Sequence, residues 1–213
     1  ALHDLTGFEG RCDALVFAAG ERTESELDAF RAAEQRAKPV VRRDYDFVVV
    51  GGGIAGICAA VTAARQGLKT ALVHDRPVLG GNNSSEVRVH LGAYANLPPY
   101  PRLGDVLAEI APASGGNAQP AAAYEDARKL AVVKAEKNLA LFLNVHVNGV
   151  KKAADGAIAS VTGVDTATGA RTVFAAPLFA DTTGDGTVGF LAGADWRMGR
   201  EGREAHGEPW APE

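Results

Sequence analysis

Gly51, Gly53 and Gly56 stand in the spacing G-x-G-x-x-G. Alone, that pattern is weak, because glycine-rich turns are common. Here the apolar run FVVV (47–50) leads into it and IAGICAAVTAARQG (54–67) follows. A strand before and a helix after are the context in which the motif has a mechanism. The first glycine permits a tight turn. The second bares the backbone to a pyrophosphate, and the third lets helix and strand pack closely. A helix starting there points unpaired N–H groups and about half a positive charge at phosphates. Asp75 follows Gly56 by 75 − 56 = 19 residues, near the ~20 expected of an acid that accepts hydrogen bonds from a ribose. A carboxylate there favours free ribose hydroxyls, since a 2′-phosphate would be repelled. His74 is the next ribose contact should the strand end one residue earlier; otherwise its side chain is structural.

The elements that must position these residues read as a βαβ start. FVVV is a buried strand of the parallel-sheet kind, apolar on both faces. Ile54, Ile57, Val61 and Ala64 recur near the helical period, and Gly67 sits where a C-terminal cap belongs. KTALVHD (69–75) is the second strand. The loop RPVLGGNNSSEVRVHLGAYANLPPYPR then breaks the alternation. LGDVLAEIA and AAYEDARKLAVVKAEKN read as helices, with the loop SGGNAQP between them. From Leu139 the period changes to two. LALFLNVHVNGVKKA, AIASVTGVDT and RTVFAAPLFAD read as an antiparallel meander turning at Asp155-Gly156 and Thr168-Gly169. PLFAD is its last strand and runs into TTGDGTVGFLAGAD, a glycine turn and a helix. The end, RMGREGREAHGEPWAPE, reads as unstructured or interrupted.

Residues 1–43 read as a separate N-terminal segment. LVFAA (15–19) is a short strand. A polar linker helix spans 21–38, capped by Thr23 or Ser25, with a thin stripe of Leu27, Phe30 and Ala33, and Pro39 ends it. Residues 44–213 form the nucleotide-binding domain. The fold class is α/β, a Rossmann-like parallel sheet with a small antiparallel meander.

Composition bounds the chemistry. The 213 residues are 46% apolar and 23% charged, as in ordinary globular domains. A net charge of −4 argues against nucleic acid or an anionic membrane as the main partner. No apolar stretch approaches the ~20 residues of a membrane span. Cys12 and Cys58 are too few for a disulfide framework, and without C-x-x-C a dithiol relay is not expected. His3, His146 and His206 are scattered, so no metal is expected. No signal peptide is visible, which makes the cytoplasm the default compartment. The chain opens with Ala1 and has one methionine, Met198, so it reads as a processed product or a piece cut from something longer.

Two further glycine loops at strand ends, Gly80-Gly81-Asn82-Asn83-Ser84-Ser85 and DTTGDG (181–186), suit a ligand longer than NAD presents at its first nucleotide unit. With VVVGGGIAG, DRPVLGG and LFADTTGDGTVGFLAGAD, the sequence resembles FAD-dependent oxidoreductases of the glutathione-reductase-like superfamily. It is most similar to a bacterial group carrying GGNNSSEVRVH, D-x-TGDG and RMGRE, some of them labelled xanthan-lyase-like. LHDLTGFEGRCDAL resembles the tail of a domain that precedes the flavin domain in such proteins. The resemblance implies FAD as cofactor and assigns roles by position. Gly51, Gly53 and Gly56 would face the pyrophosphate and Asp75 the adenosine ribose. Gly80, Gly81 and Asn82, with Ser84, would line the cofactor toward the flavin. Val147 would contact adenine through its backbone, and Thr183, Gly184 and Asp185 would close over the cofactor. Asp185 has two readings. Either it bonds a ribityl hydroxyl, or it belongs to an earlier turn near the pyrophosphate, with the terminal pair beyond residue 213.

A flavin supplies the redox chemistry, and the protein supplies orientation, charge and exclusion of water. Ser84, Ser85, Glu86, Arg88 and His90 follow the cofactor loop. Arg88 or His90 would stabilise charge on reduced flavin, or His90 would take a proton from a substrate hydroxyl. Against this, V-R-V-H-L alternates, so both residues share one face of a strand that is equally well merely solvated. The expected function is hydride transfer from a small-molecule substrate to FAD. The alternatives are an NAD-binding domain and a non-catalytic dinucleotide-binding module in a polysaccharide-processing protein.

Overall fold

The computed structural model describes residues 23, 25, 26, 28, 29, 32 and 40–212, apart from 93, 94 and 114. The strand expected at 15–19, and Leu27, Phe30, Ala33 and Pro39 of the linker helix, lie outside the described residues. Of the two expected caps, Thr23 is the one that acts: its Oγ1 accepts the Glu26 N–H, and Glu26 Oε2 accepts the Thr23 N–H at 2.9 Å. This is a reciprocal capping box.

A four-stranded parallel sheet carries the molecule. Its strands are β2 (Phe47–Val50), β3 (Thr70–Val73), β4 (Leu139–Phe142) and β8 (Leu178–Asp181), in the order β4-β3-β2-β8. A second sheet has the order β1-β7-β6-β5, from β1 (Val40–Asp44), β5 (Val145–Lys152), β6 (Ile158–Asp165) and β7 (Arg171–Ala175). β5, β6 and β7 form the antiparallel meander, and β1 pairs parallel to β7. Val40–Arg43, read from sequence as the end of the N-terminal segment, thus pair within the second sheet.

Two strands sit elsewhere than the sequence suggests. LALF is not the first half of a long meander strand, and PLFAD is not its last. Both belong to the parallel sheet, at its two edges. The long run breaks at Asn144, whose φ of 58° interrupts the extended backbone before Val145. Alternating apolar residues look the same in either sheet, so periodicity alone does not place them.

Side-chain alternation divides the core. Val48, Val50, Ala71 and Val73 face the meander and pack with Val145, Val147, Val161 and Phe174. Val49 and Leu72, from the same strands, face the helices. There they meet Ile57 and Val61 of α1 (Ile54–Arg65), Ile110 of α2 (Asp105–Ile110) and Val133 of α3 (Asp126–Ala135). β2 and β3 are buried on both faces because each face has its own layer to cover it. Arg65 closes the last turn of α1 with a two-pronged ion pair to Glu109 of α2 and a third bond to Glu136 beyond α3. The C-terminal stretch is not wholly irregular. After α4 (Thr187–Leu191) comes α5 (Arg203–His206), and the Arg203 N–H donates to Pro212 O at 2.8 Å.

Candidate functional site

The C-terminal ends of β2, β3 and β8 open onto one groove of about 930 Å³. Ligands in open α/β sheets bind outside those strand ends. Of the expected cofactor residues, Gly51, Gly53, Asp75, Gly80, Gly81, Asn82, Ser84, Val147, Thr183, Gly184 and Asp185 all line it. Gly56 does not line it and lies beneath the turn. Four chain segments far apart in sequence are thereby brought together.

The first glycine turn is held from below. Gly51 has φ 108°, and a Cβ there would lie 2.4 Å from Thr182 O. At Gly56 a Cβ would lie 1.9 Å from Gly51 O and 2.6 Å from Thr182 Oγ1. The Thr182 hydroxyl is shared between Val50 O and Gly51 O, at 2.9 and 2.8 Å. Thr182 is therefore the residue that locks β8 to the turn. Sequence reading passes over it for its neighbours Thr183 to Asp185. At Gly53, by contrast, a Cβ would have no atom within 4 Å. Gly53 caps α1 with no side-chain hydrogen bond and no acid in the first turn, so the helix turns unscreened N–H groups toward the groove.

The second loop docks on the first. The Gly80 N–H donates to Gly52 O at 2.8 Å, and Gly53 and Gly80 form a parallel bridge. Ser84 Oγ donates to Gly81 O at 2.7 Å and accepts the Glu86 N–H, so its hydroxyl serves the loop itself. Asn83 Nδ2 donates to Val89 O, and its buried Oδ1 has no hydrogen-bond partner among the described residues. In the third loop Thr183 Oγ1 donates to Asp181 and accepts the Thr187 N–H. Gly184 leaves open space where a side chain would stand.

His74 is the strut between the first two loops. Its Nδ1 accepts the Gly52 N–H at 2.9 Å and its Nε2 lies 3.0 Å from Val78 O. Only the neutral ring with its proton on Nε2 satisfies both contacts. Burial lowers the His74 pKa below its ordinary 6.5, with the nearby Asp75 carboxylate opposing this in part. The unfolded chain takes up the proton first as pH falls. Stability contributed by this strut is thus present above about 6.5 and is lost below it, toward the folded pKa. Urea denaturation across that window should show this loss, and His74→Gln should flatten the slope.

Arg88 and His90 do not share a strand face. Residues 84–90 pair with no strand, and Arg88 has φ 64°, which breaks any alternation. Arg88 Nε donates to Ser85 O, and the residue is not among those that line the groove. His90 does line it, as does His146 of β5, which sequence reading sets aside. Among the described residues no group of three or more His, Cys, Asp or Glu is placed to hold a metal, and no helix is long and apolar enough to cross a membrane.

A parallel sheet with glycine turns at its strand ends, a helix N-terminus over a groove and a strand-end acid define a Rossmann-like dinucleotide-binding fold. Residues 46–213 match the FAD dependent oxidoreductase family, and the chain belongs to it. FAD is the cofactor of that family, and oxidation–reduction is the family's class of chemistry. The chain is 52% identical over 42 residues to 3-oxosteroid 1-dehydrogenase of Mycolicibacterium smegmatis (20% of this chain, 7% of that protein). It is 38% identical over 72 residues to the tRNA uridine 5-carboxymethylaminomethyl modification enzyme of Zymomonas mobilis (29% and 12%). In fold it is similar to adenylylsulfate reductase of Archaeoglobus fulgidus, with TM-score 0.52 and 20% identity over 70% of this chain and 32% of that one. Thermovibrio ammonificans THI4 is similar too, with TM-score 0.50 and 19% identity over 81% and 70%. The matched stretches span only a small part of the length of the two sequence relatives, 7% and 12%.

The groove fits FAD on its own features. Gly53 and Gly184 bare the backbone where a side chain would intrude. The N-terminus of α1 faces the groove, Asp75 lies just beyond the end of β3 on its lining, and Asn83 Oδ1 is an acceptor without a donor among the described residues.

Proposed function

We propose that this chain is the cofactor-holding part of an oxidoreductase that takes a hydride from a small-molecule substrate. The single observation that carries the reading is the convergence of the loops at 51–56, 80–84 and 182–185 on one groove. Bound FAD would supply the electron sink. The chain's own residues bind and orient it. Backbone N–H groups at the N-terminus of α1 would hold the pyrophosphate, Asp75 the adenosine ribose, and the β5 backbone at Val147 the adenine. Gly80, Gly81 and Asn82 line the path toward the flavin, and Gly184 and Asp185 cover it. Ser84 and Thr183 shape their loops, because their hydroxyls are already engaged. GGNNSSEVRVH supports the narrower kinship with the xanthan-lyase-like group.

The second glycine loop, docked on Gly52 and Gly53, favours the longer cofactor over NAD. Parallel titration with FAD and NADH tests this. The protein should turn yellow and retain one FAD per chain through gel filtration, while NADH binds weakly. Retention of NADH with exclusion of FAD overturns the reading.

A further inference from the structure

His90 is held in an uncommon way. Its backbone N–H and its ring Nδ1 both contact one atom, Asn117 Oδ1, at 2.9 and 2.8 Å. The backbone N–H can only donate, so the oxygen of the Asn117 amide must face His90. An oxygen cannot donate back to Nδ1, so Nδ1 carries the ring proton. The lone pair of neutral His90 then lies on Nε2, which has no hydrogen-bond partner among the described residues. An unconstrained imidazole favours the opposite arrangement. His74, fixed by Gly52 and Val78, has it.

Asn117 is itself fixed. Gly116 O, Arg88 O and the Gln119 N–H all meet the hydroxyl of buried Tyr124, at 3.1, 2.5 and 3.2 Å. The Ala118 N–H donates to Arg88 O at 2.9 Å. Tyr124 thus clamps the 116–119 loop onto the 84–90 loop, and the clamp sets Asn117 against His90.

We propose that His90 is the groove's proton acceptor, acting at Nε2, and that Asn117 is the positioning residue that fixes its tautomer. The inference rests on reading the groove as the FAD site of a hydride-accepting enzyme. The ligand class is a hydroxyl-bearing substrate. Its O–H proton moves to Nε2, and the imidazolium formed keeps its Nδ1–H on Asn117 Oδ1. Asn117 is neutral, so it selects the tautomer without adding the charge a carboxylate would bring.

Two-bond proton–nitrogen NMR of the 213-residue chain with isotope-labelled histidine tests this at alkaline pH, with His90→Gln assigning the signal. The expected result is Nδ1–H at His90 and Nε2–H at His74 in one spectrum. Asn117→Ala should move His90 to the Nε2–H form, and Asn117→Asp, which keeps an acceptor, should retain Nδ1–H. Nε2–H at His90 in the unaltered chain overturns the proposal. Diethyl pyrocarbonate is the second probe and needs no variant. It should acylate His90 and spare His74, and an unreactive His90 also overturns it. Both measurements are made without FAD, so the two failures are distinguishable: a colourless protein that rejects FAD removes the cofactor reading on which the proposal rests, whereas the wrong tautomer at His90 overturns the proposal itself.

Discussion

Gly53→Ala should weaken FAD binding on the order of 100-fold, about 2.7 kcal/mol, while leaving the fold intact. The added methyl meets nothing in the protein, since no atom lies within 4 Å of its position. The backbone there, φ −67° and ψ 177°, suits any residue. Losing a glycine at the helix cap costs about 0.5–1 kcal/mol, and reduced freedom of the unfolded chain offsets a similar amount. The methyl does enter the space where a pyrophosphate approaches the N-terminus of α1. A fluorescence titration with FAD and a thermal melt on the same sample separate the two effects. Unchanged affinity would mean that the pyrophosphate lies elsewhere.

Gly56→Ala should do the reverse, although it sits three residues away. Its methyl would lie 1.9 Å from Gly51 O and 2.6 Å from Thr182 Oγ1. The first is a backbone atom in the glycine turn, and the second belongs to the hydroxyl that locks β8 to that turn. The backbone oxygen cannot yield without disturbing the turn or moving α1 off the sheet, and turning the hydroxyl away breaks its lock on Val50 O and Gly51 O. Overpacking of this kind costs about 3 kcal/mol, roughly 10 °C in melting temperature for a domain of this size. Calorimetry of the two variants side by side should show one melting like the parent and one far below it. Equal melting temperatures would contradict the assignment of Gly56 to packing.

The glycine turn is legible in the sequence because its function needs particular residues at particular offsets, with a strand and a helix on either side. Asp75 is legible by the same logic of spacing. The layer to which Leu139–Phe142 and Leu178–Asp181 belong is not. A strand buried in a parallel sheet and one buried in a meander have the same apolar pattern, and only Leu143 and the left-handed Asn144 separate β4 from β5. The alternation of V-R-V-H-L misleads for a different reason. Its period is that of a strand, but Asn83 and Tyr124 fix the local backbone through bonds to Val89 O and Arg88 O. Contacts of that kind leave no periodic trace. Thr182 and Asn117 escape notice likewise, because each acts through partners distant in sequence, although Thr182 stands one position before TGDG. His74 can be read as structural from its place beside Asp75, but not the two loops it joins.

Hydrogen exchange with and without FAD measures the convergence of these loops most directly. Saturating FAD should slow exchange together at residues 51–56, 80–87, 145–147 and 182–187, and leave the outer strands of the meander unchanged. Protection confined to the first glycine turn, with the loops at 80–87 and 182–187 exchanging as before, would contradict a single cofactor groove.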